Sequence, residues 1–296
     1  MQHREIPVVL VVAGKKVNYI PHVVKNLSAH SGFKLFYVIC PKKDLDKARS
    51  LSSAIDEASV VVVDEESVIP SLNLAKVKEF LNPTLPNWPE YHLAGWYLQQ
   101  FLKMGFSKYA PNHEYYLIWD SDTLLTRSIS FFDGDKILLT RGNEFHKEYF
   151  DTIKHLFSEI DLQSVSHISQ HLMVRTADMI ELINSLEKSD HKWWQKILSE
   201  LNGKTPFQFS EYETYTNYCL SSKSDSYVSI KRNWFRYGKS FYGCTLTEAD
   251  MTKLSKLYDF VAFEDWDYGV TRRIRSQIIV RLHMLVLFVK KLNFAK

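Results

Sequence analysis

Three short runs of mostly apolar residues, rich in valine and isoleucine, restrict this chain more than anything else in it. They are "VVLVVA" (Val8–Ala13), "KLFYVIC" (Lys34–Cys40) and "SVVVVDEE" (Ser59–Glu66). Each is continuously apolar rather than alternating, so both faces of the strand must be covered. Helical spacing over Val17 to Ala29 and Lys42 to Ala54 supplies the covering crossovers. Strands of this kind joined by helices make a parallel sheet with helices on both sides. The expected class is therefore α/β. Ligands of such sheets bind beyond the carboxyl ends of the strands, where Gly14-Lys15-Lys16 and Asp64-Glu65 fall. There is no G-x-G-x-x-G or Walker pattern to claim a dinucleotide fingerprint or a P-loop.

A fourth strand, Tyr115 to Trp119, runs straight into Asp120-Ser121-Asp122. Two like charges at the mouth of a buried strand are costly without a positive partner or water. Carboxylates spaced i, i+2 there suit one divalent cation, Mn²⁺ or Mg²⁺, which takes hard oxygen ligands and commonly substrate phosphate as well. The plain alternative is a solvated turn in which Asp122 caps its neighbours.

Around this strand the pattern gives a loop with three prolines from Asn82 to Pro89 and a helix from Glu90 to Tyr109. Leu93, Tyr97 and Phe101 share one face of that helix; Trp96, Gln99, Gln100 and Lys103 lie toward another. A strand near Lys136–Thr140, a helix over Glu144–Glu159 and a strand at "HLMVRT" (His171–Thr176) follow. Helices are expected at Ala177–Glu187 and Lys192–Leu201. Another begins in "FSEYETYTNYCL", with Ser210 as N-cap and Glu213 three residues on, a capping-box spacing. One continuous domain over 1–265 with a basic amphipathic helix over 266–296 is the expected organisation.

Composition narrows the classes. A formal net charge of +3 over 296 residues argues for no nucleic-acid partner. Cys40, Cys219 and Cys244 are few and widely spaced, without zinc spacing, which fits a reduced cytoplasmic setting. No apolar run approaches the roughly 18–20 residues that span a bilayer. The tail from Tyr268 to Phe294 carries Arg272, Arg273, Arg275, Arg281, Lys290 and Lys291 among aliphatics. It is either a peripheral contact with an anionic membrane, at the inner face of the plasma membrane, or a helix packed on the core. Nothing in the chain sets an oligomeric state.

"YYLIWDSDTLLTR" resembles the D-x-D strand end of GT-A-type nucleotide-sugar glycosyltransferases. "GWYLQQFLKMGFSKY", "ISQHLMVRTADMIELINSLE" and "FSEYETYTNY" resemble, in order and spacing, segments of an uncharacterised bacterial glycosyltransferase-like family associated with capsule and lipopolysaccharide synthesis. The resemblance covers roughly Trp96 to Tyr218. It implies a GT-A fold, a Rossmann-like mixed but mostly parallel sheet flanked by helices, with a helical C-terminal extension. It also implies a nucleotide-diphospho-sugar donor, a divalent metal, and a glycan or lipid-linked acceptor. Arg175 and Thr176 stand where that family usually has an acidic or small residue, so no carbohydrate contact is assigned to them.

On this reading Asp120 and Asp122 hold the metal, and Asp120 also meets the donor. Base and ribose lie near Ala13, Gly14 and Asp64. Gln100 and Lys103 either face the donor, with Lys103 near phosphate, or belong to a solvated helix face. Since Glu213 has a capping role, Glu211 in the first turn is left as the general base, or as a residue that positions the acceptor where configuration is retained. His171 is either an acceptor contact or a core residue. "AFEDWDYG" (Ala262–Gly269) either adds a third metal ligand or caps and packs. Two other functions share the string: a phosphatase of the D-x-D-x-T type, with Asp120 as nucleophile, and a non-catalytic nucleotide-sugar-binding protein.

Overall fold

The computed structural model describes residues 5–85, 90–239 and 248–264, with positions 278, 282 and 285 individually. The expected parallel sheet is present. Strands β1 (Pro7–Val11), β2 (Leu35–Cys40), β3 (Ser59–Asp64), β4 (Tyr115–Trp119) and β8 (His171–Arg175) form a five-stranded sheet in the order β3-β2-β1-β4-β8. All pairs are parallel except β4–β8, which is antiparallel and sets Trp119 opposite His171. The strand order steps outward from β1 in both directions, so a crevice opens where β1 and β4 lie side by side. That is where α/β sheets bind ligands. Val8, Val9, Leu10, Leu117 and Ile118 in the sheet centre are fully buried, as their continuous apolar runs demand.

Helices follow the strands. A 3-10 turn over Gly14–Tyr19 leads into α1 (Ile20–Ser31), which opens on Pro21 and stops at Gly32. Gly32 has φ +73°, the left-handed cap conformation that glycine adopts at least cost. Next come α2 (Leu45–Ser52) and the short α3 (Glu65–Val68), capped by Asp64. A helix absent from the expected pattern, α4 (Leu74–Thr84), is capped by Asn73 and runs into the proline segment as far as Pro83 and Thr84. The long α5 (Glu90–Tyr109) packs under β1 and meets β4 through Tyr116, whose hydroxyl donates to Lys103 O at 3.1 Å. Gly105 in α5 lets it approach closely: a Cβ there would sit 2.6 Å from Ile69 Cγ1.

Two three-stranded sheets flank the main one. The first joins β5 (Thr123–Leu125), β10 (Trp234–Phe235) and β11 (Phe260–Ala262). The second joins β6 (Phe132–Asp133), β7 (Lys136–Thr140) and β9 (Tyr227–Ile230). Only β7 belongs to the expected pattern, because strands of two to four residues carry too little periodicity to show. The other helices are α6 (Lys147–Leu156), α7 (Thr176–Leu186), α8 (Trp193–Ser199), α9 (Glu211–Ser222) and α10 (Glu248–Ser255). Each of α6, α7 and α8 matches an expected helix to within a few residues at its ends. Cys40 and Cys219 are free and buried. Among the described residues no helix is long and apolar enough to cross a membrane. The tail helix expected over 266–296 lies outside the described residues, apart from Ile278, Leu282 and Leu285. These three are helical and more than half exposed.

Candidate active site

A cavity of about 260 Å³ opens at the carboxyl ends of β1 and β4. Its floor is the Asp120-Ser121-Asp122 turn. The turn is fixed by backbone bonds on both sides: Asp120 N–H donates to Gln170 O at 2.9 Å, and Phe263 N–H donates to Asp122 O at 2.7 Å. The second bond continues the antiparallel pairing of β5 with β11 and brings Glu264 to the cavity. Gln170, at the entry to β8, has φ +66°. A non-glycine residue held there is strained, and such strain gathers at functional sites. Its side-chain amide donates to Glu264 Oε1 at 3.0 Å.

Both aspartates have lysine partners. Lys103 Nζ lies 2.7 Å from Asp120 Oδ1 and 2.7 Å from Glu211 Oε1, and 3.3 Å from Tyr212 OH. Lys16 Nζ donates to Asp122 Oδ2 at 2.9 Å. Burial alone would lower the Lys103 pKa, but Asp120, Glu211 and Tyr212 around it raise it well above the ordinary value. Lys103 is therefore a fixed positive charge inside the protein. Burial raises the Asp122 pKa; Lys16 opposes that and Asp120 adds to it. Burial likewise raises Glu264, with Arg236 opposing and Asp122 and Asp120 adding.

The expected site residues divide into three groups. Asp120, Asp122, Glu211, Gln100 and Lys103 all line the cavity. Lys103 does so as the bridge between two carboxylates. Gln100 does so as a brace: its Oε1 accepts the Glu211 backbone N–H at 3.0 Å, and its Nε2 donates to Trp96 O at 3.2 Å. Ala13, Gly14 and Asp64 sit at the carboxyl ends of β1 and β3, outside the cavity lining. Gly14 N–H donates to Asp44 Oδ2, and Asp64 caps α3. His171 belongs to the core. It stacks on Trp119 with ring centroids 5.2 Å apart and is boxed in by Phe131 and Phe260. Its pKa is pushed down to about 3, chiefly by burial.

The start of α9 corrects a detail of the capping argument. Ser210 Oγ accepts from Glu213 N–H at 3.3 Å, as expected of the N-cap. The Glu213 carboxylate, however, accepts from His167 N–H at 3.2 Å rather than closing a capping box. It ties the loop before β8 to α9. Nor does Glu211 stand free of partners, since it shares Lys103 with Asp120.

Lys16, Glu144, Arg236 and Glu264 complete the cavity. Arg236 binds Glu264 Oε1 through Nε at 2.8 Å and pairs with Glu144 through Nη1. The acidic "AFED" stretch is a signal for Glu264. Glu144 and Arg236 stand in no local pattern; only the long-range strand pairing brings them in.

Residues 17–237 match the model of DUF6492, described as a family of unknown function. The chain belongs to DUF6492. No curated protein matches this DUF6492 member. Solved structures that resemble it include mouse xyloside xylosyltransferase 1 in its apo form (TM-score 0.49, 10% identity, 90% of this chain and 99% of that one). Another is the galactosyltransferase LgtC with donor and acceptor sugar analogues (TM-score 0.48, 10% identity, 92% and 95%). A third is an active-site mutant of LgtC (TM-score 0.49, 11% identity, 87% and 87%). At this distance the likeness gives no residue of the DUF6492 chain a role.

Proposed function

We propose that this DUF6492 member is a divalent-metal-dependent glycosyltransferase that moves a sugar from a nucleoside-diphosphate donor to a glycan or lipid-linked acceptor, in bacterial surface polysaccharide synthesis. The observation that carries the reading is the charge of the cavity. Five carboxylates line it, from Asp120, Asp122, Glu144, Glu211 and Glu264, against three basic side chains, Lys16, Lys103 and Arg236. A nucleoside diphosphate is itself anionic, and a cavity already negative repels it. A divalent cation reverses that sign locally. The donor set fits Mg²⁺ or Mn²⁺: all hard carboxylate oxygens, placed at strand ends. Among the described residues no three or more His, Cys, Asp or Glu side chains form a ready metal cluster. An open site of one or two carboxylates that shares its ion with substrate phosphate is the usual arrangement for Mg²⁺.

On this reading Asp120 and Asp122 hold the cation. Bound there, it supplies Lewis-acid stabilisation of charge on the departing diphosphate. The chain's own groups do the rest. Lys103 fixes the orientation of Asp120 and Glu211 together. Glu211 is the general base; it takes the proton of the acceptor hydroxyl as that oxygen bonds to the anomeric carbon. The bond from that carbon to the diphosphate breaks, and its electron pair leaves with the nucleoside diphosphate. Burial raises the Glu211 pKa above the ordinary carboxylate value, against the pull of Lys103. A carboxylate so raised is the stronger base at neutral pH. Gln100 holds the Glu211 backbone, and Tyr212 seals Lys103 with its ring 4.8 Å away. The test is a panel of nucleotide sugars with Mn²⁺ and candidate acceptor glycans, read as sugar transfer. Phosphate release from phosphomonoesters without transfer would instead favour a phosphatase.

A further inference from the structure

The two lysine–aspartate pairs at the cavity floor differ in kind. Lys103 is sealed: its side chain is 4% exposed, and it bridges Asp120 and Glu211. Lys16 sits at the rim. Its side chain is 39% exposed while that of its partner Asp122 is 4% exposed. Lys16 comes from the 3-10 turn after β1, where Gly14 at φ +57° swings the chain across the strand end. The Gly14 N–H bond to Asp44 anchors that turn. From it, a flexible four-carbon stem carries a compact ammonium that can change partner without backbone movement. Lys16 therefore occupies, by its charge, an oxygen that the functional reading assigns to a divalent cation.

We propose that Lys16 is an exchangeable placeholder: it pairs with Asp122 in the ligand-free protein, yields that carboxylate to a divalent cation, and then binds the donor's diphosphate. The proposal rests on the metal-dependent reading above and adds a diphosphate ligand to it. Physical chemistry favours the exchange. A doubly charged ion outcompetes a single ammonium for a buried carboxylate. The released ammonium remains at the rim of the same cavity, within reach of an anionic diphosphate held there by the cation. Cation and nucleotide then bind with positive coupling, because each stabilises the arrangement that the other needs.

The experiment titrates the full chain, wild type and Lys16→Met, with MnCl₂ alone and then with UDP, GDP, ADP and CDP at saturating Mn²⁺. Calorimetry and Mn²⁺ electron paramagnetic resonance are the readouts. Lys16→Met should bind Mn²⁺ alone about two- to fivefold more tightly, since a half-exposed ion pair no longer competes. It should bind the nucleoside diphosphate about tenfold more weakly, as expected for loss of a charged hydrogen bond. Lys16→Arg should keep most of the nucleotide affinity. Tighter Mn²⁺ binding is a gain that misfolding cannot produce. Unchanged or weaker Mn²⁺ binding in Lys16→Met overturns the proposal, and so does unchanged nucleotide affinity. Wild-type protein that binds no nucleoside diphosphate, with or without Mn²⁺, refutes the functional reading itself.

Discussion

Lys103 Nζ lies 2.7 Å from Glu211 Oε1, and both side chains are all but sealed from solvent. With Asp120 on its other side, one buried ammonium serves two carboxylates. Removing one partner from a buried pair leaves an uncompensated charge, at a cost of about 3–5 kcal/mol. Lys103→Met should therefore destabilise the protein by about that much in chemical denaturation. Adding Glu211→Gln to Lys103→Met should recover part of the loss, since one unpaired carboxylate is gone. A double variant less stable than Lys103→Met would show that the pair is not the source of the cost.

Glu211 and Glu213 separate by role. Glu211→Gln keeps the shape of the side chain and removes the base, so turnover should fall by about 10²–10⁴-fold. Donor affinity should change little. Glu213→Gln still offers an oxygen to His167 N–H, and turnover should stay nearly intact. Steady-state kinetics on the two variants decide between them. A Glu213 requirement with a dispensable Glu211 would reverse the assignment.

His171 makes stability fall in acid. Its pKa is about 3 in the fold, against 6.5 unfolded. Below pH 6.5 the unfolded chain therefore binds a proton that the folded chain refuses, and stability drops as pH falls from about 6.5 toward 3. His171→Phe removes this term. Over pH 6 to 4, wild type should lose up to about 1.4 kcal/mol per pH unit relative to the variant. Denaturation curves at several pH values test it; parallel losses in the two proteins would contradict it. Glu213, raised to about 7 mainly by burial, works in the opposite sense: it costs stability as pH rises from about 4.5 to 7. It remains in both proteins, so the comparison cancels it.

Gly142 sits where two segments nearly touch. A Cβ there would lie 2.5 Å from Ile168 O, a backbone atom that cannot step aside cheaply. Gly142→Ala should cost about 1–3 kcal/mol, as overpacking does, and disturb the loop that Glu213 ties to α9. Equal thermal stability of wild type and variant would count against this packing.

The tail is tested by deleting residues 266–296. If it docks on membrane, the truncated protein should leave anionic liposomes in flotation assays and keep its nucleotide binding. Insoluble truncated protein would place the segment in the core instead.

The central sheet is legible in the sequence because its buried inner strands read as unbroken apolar runs, although β3, at the sheet edge, carries such a run while only partly covered, with Val61 exposed. The aspartate pair is legible because charge at the end of such a run is conspicuous. Glu211 is legible through the Ser210 N-cap. What surrounds them is not. Lys16 and Glu264 fall in stretches the sequence marks, Gly14-Lys15-Lys16 and Ala262–Gly269, but nothing local brings them together with Arg236; a turn and two- and three-residue strands with distant pairing partners do that. For His171 the sequence leaves an acceptor contact and a core residue open; the pairing of Trp119 with His171 sets its ring among Trp119, Phe131 and Phe260.

The most direct test of the account is Mn²⁺-dependent nucleoside-diphosphate binding in wild type and Asp122→Ala, measured by calorimetry on folded protein. The account predicts that wild type binds one nucleoside diphosphate much more tightly with Mn²⁺ than without, and that Asp122→Ala abolishes this difference. Equal metal-dependent affinity in the two proteins would contradict it.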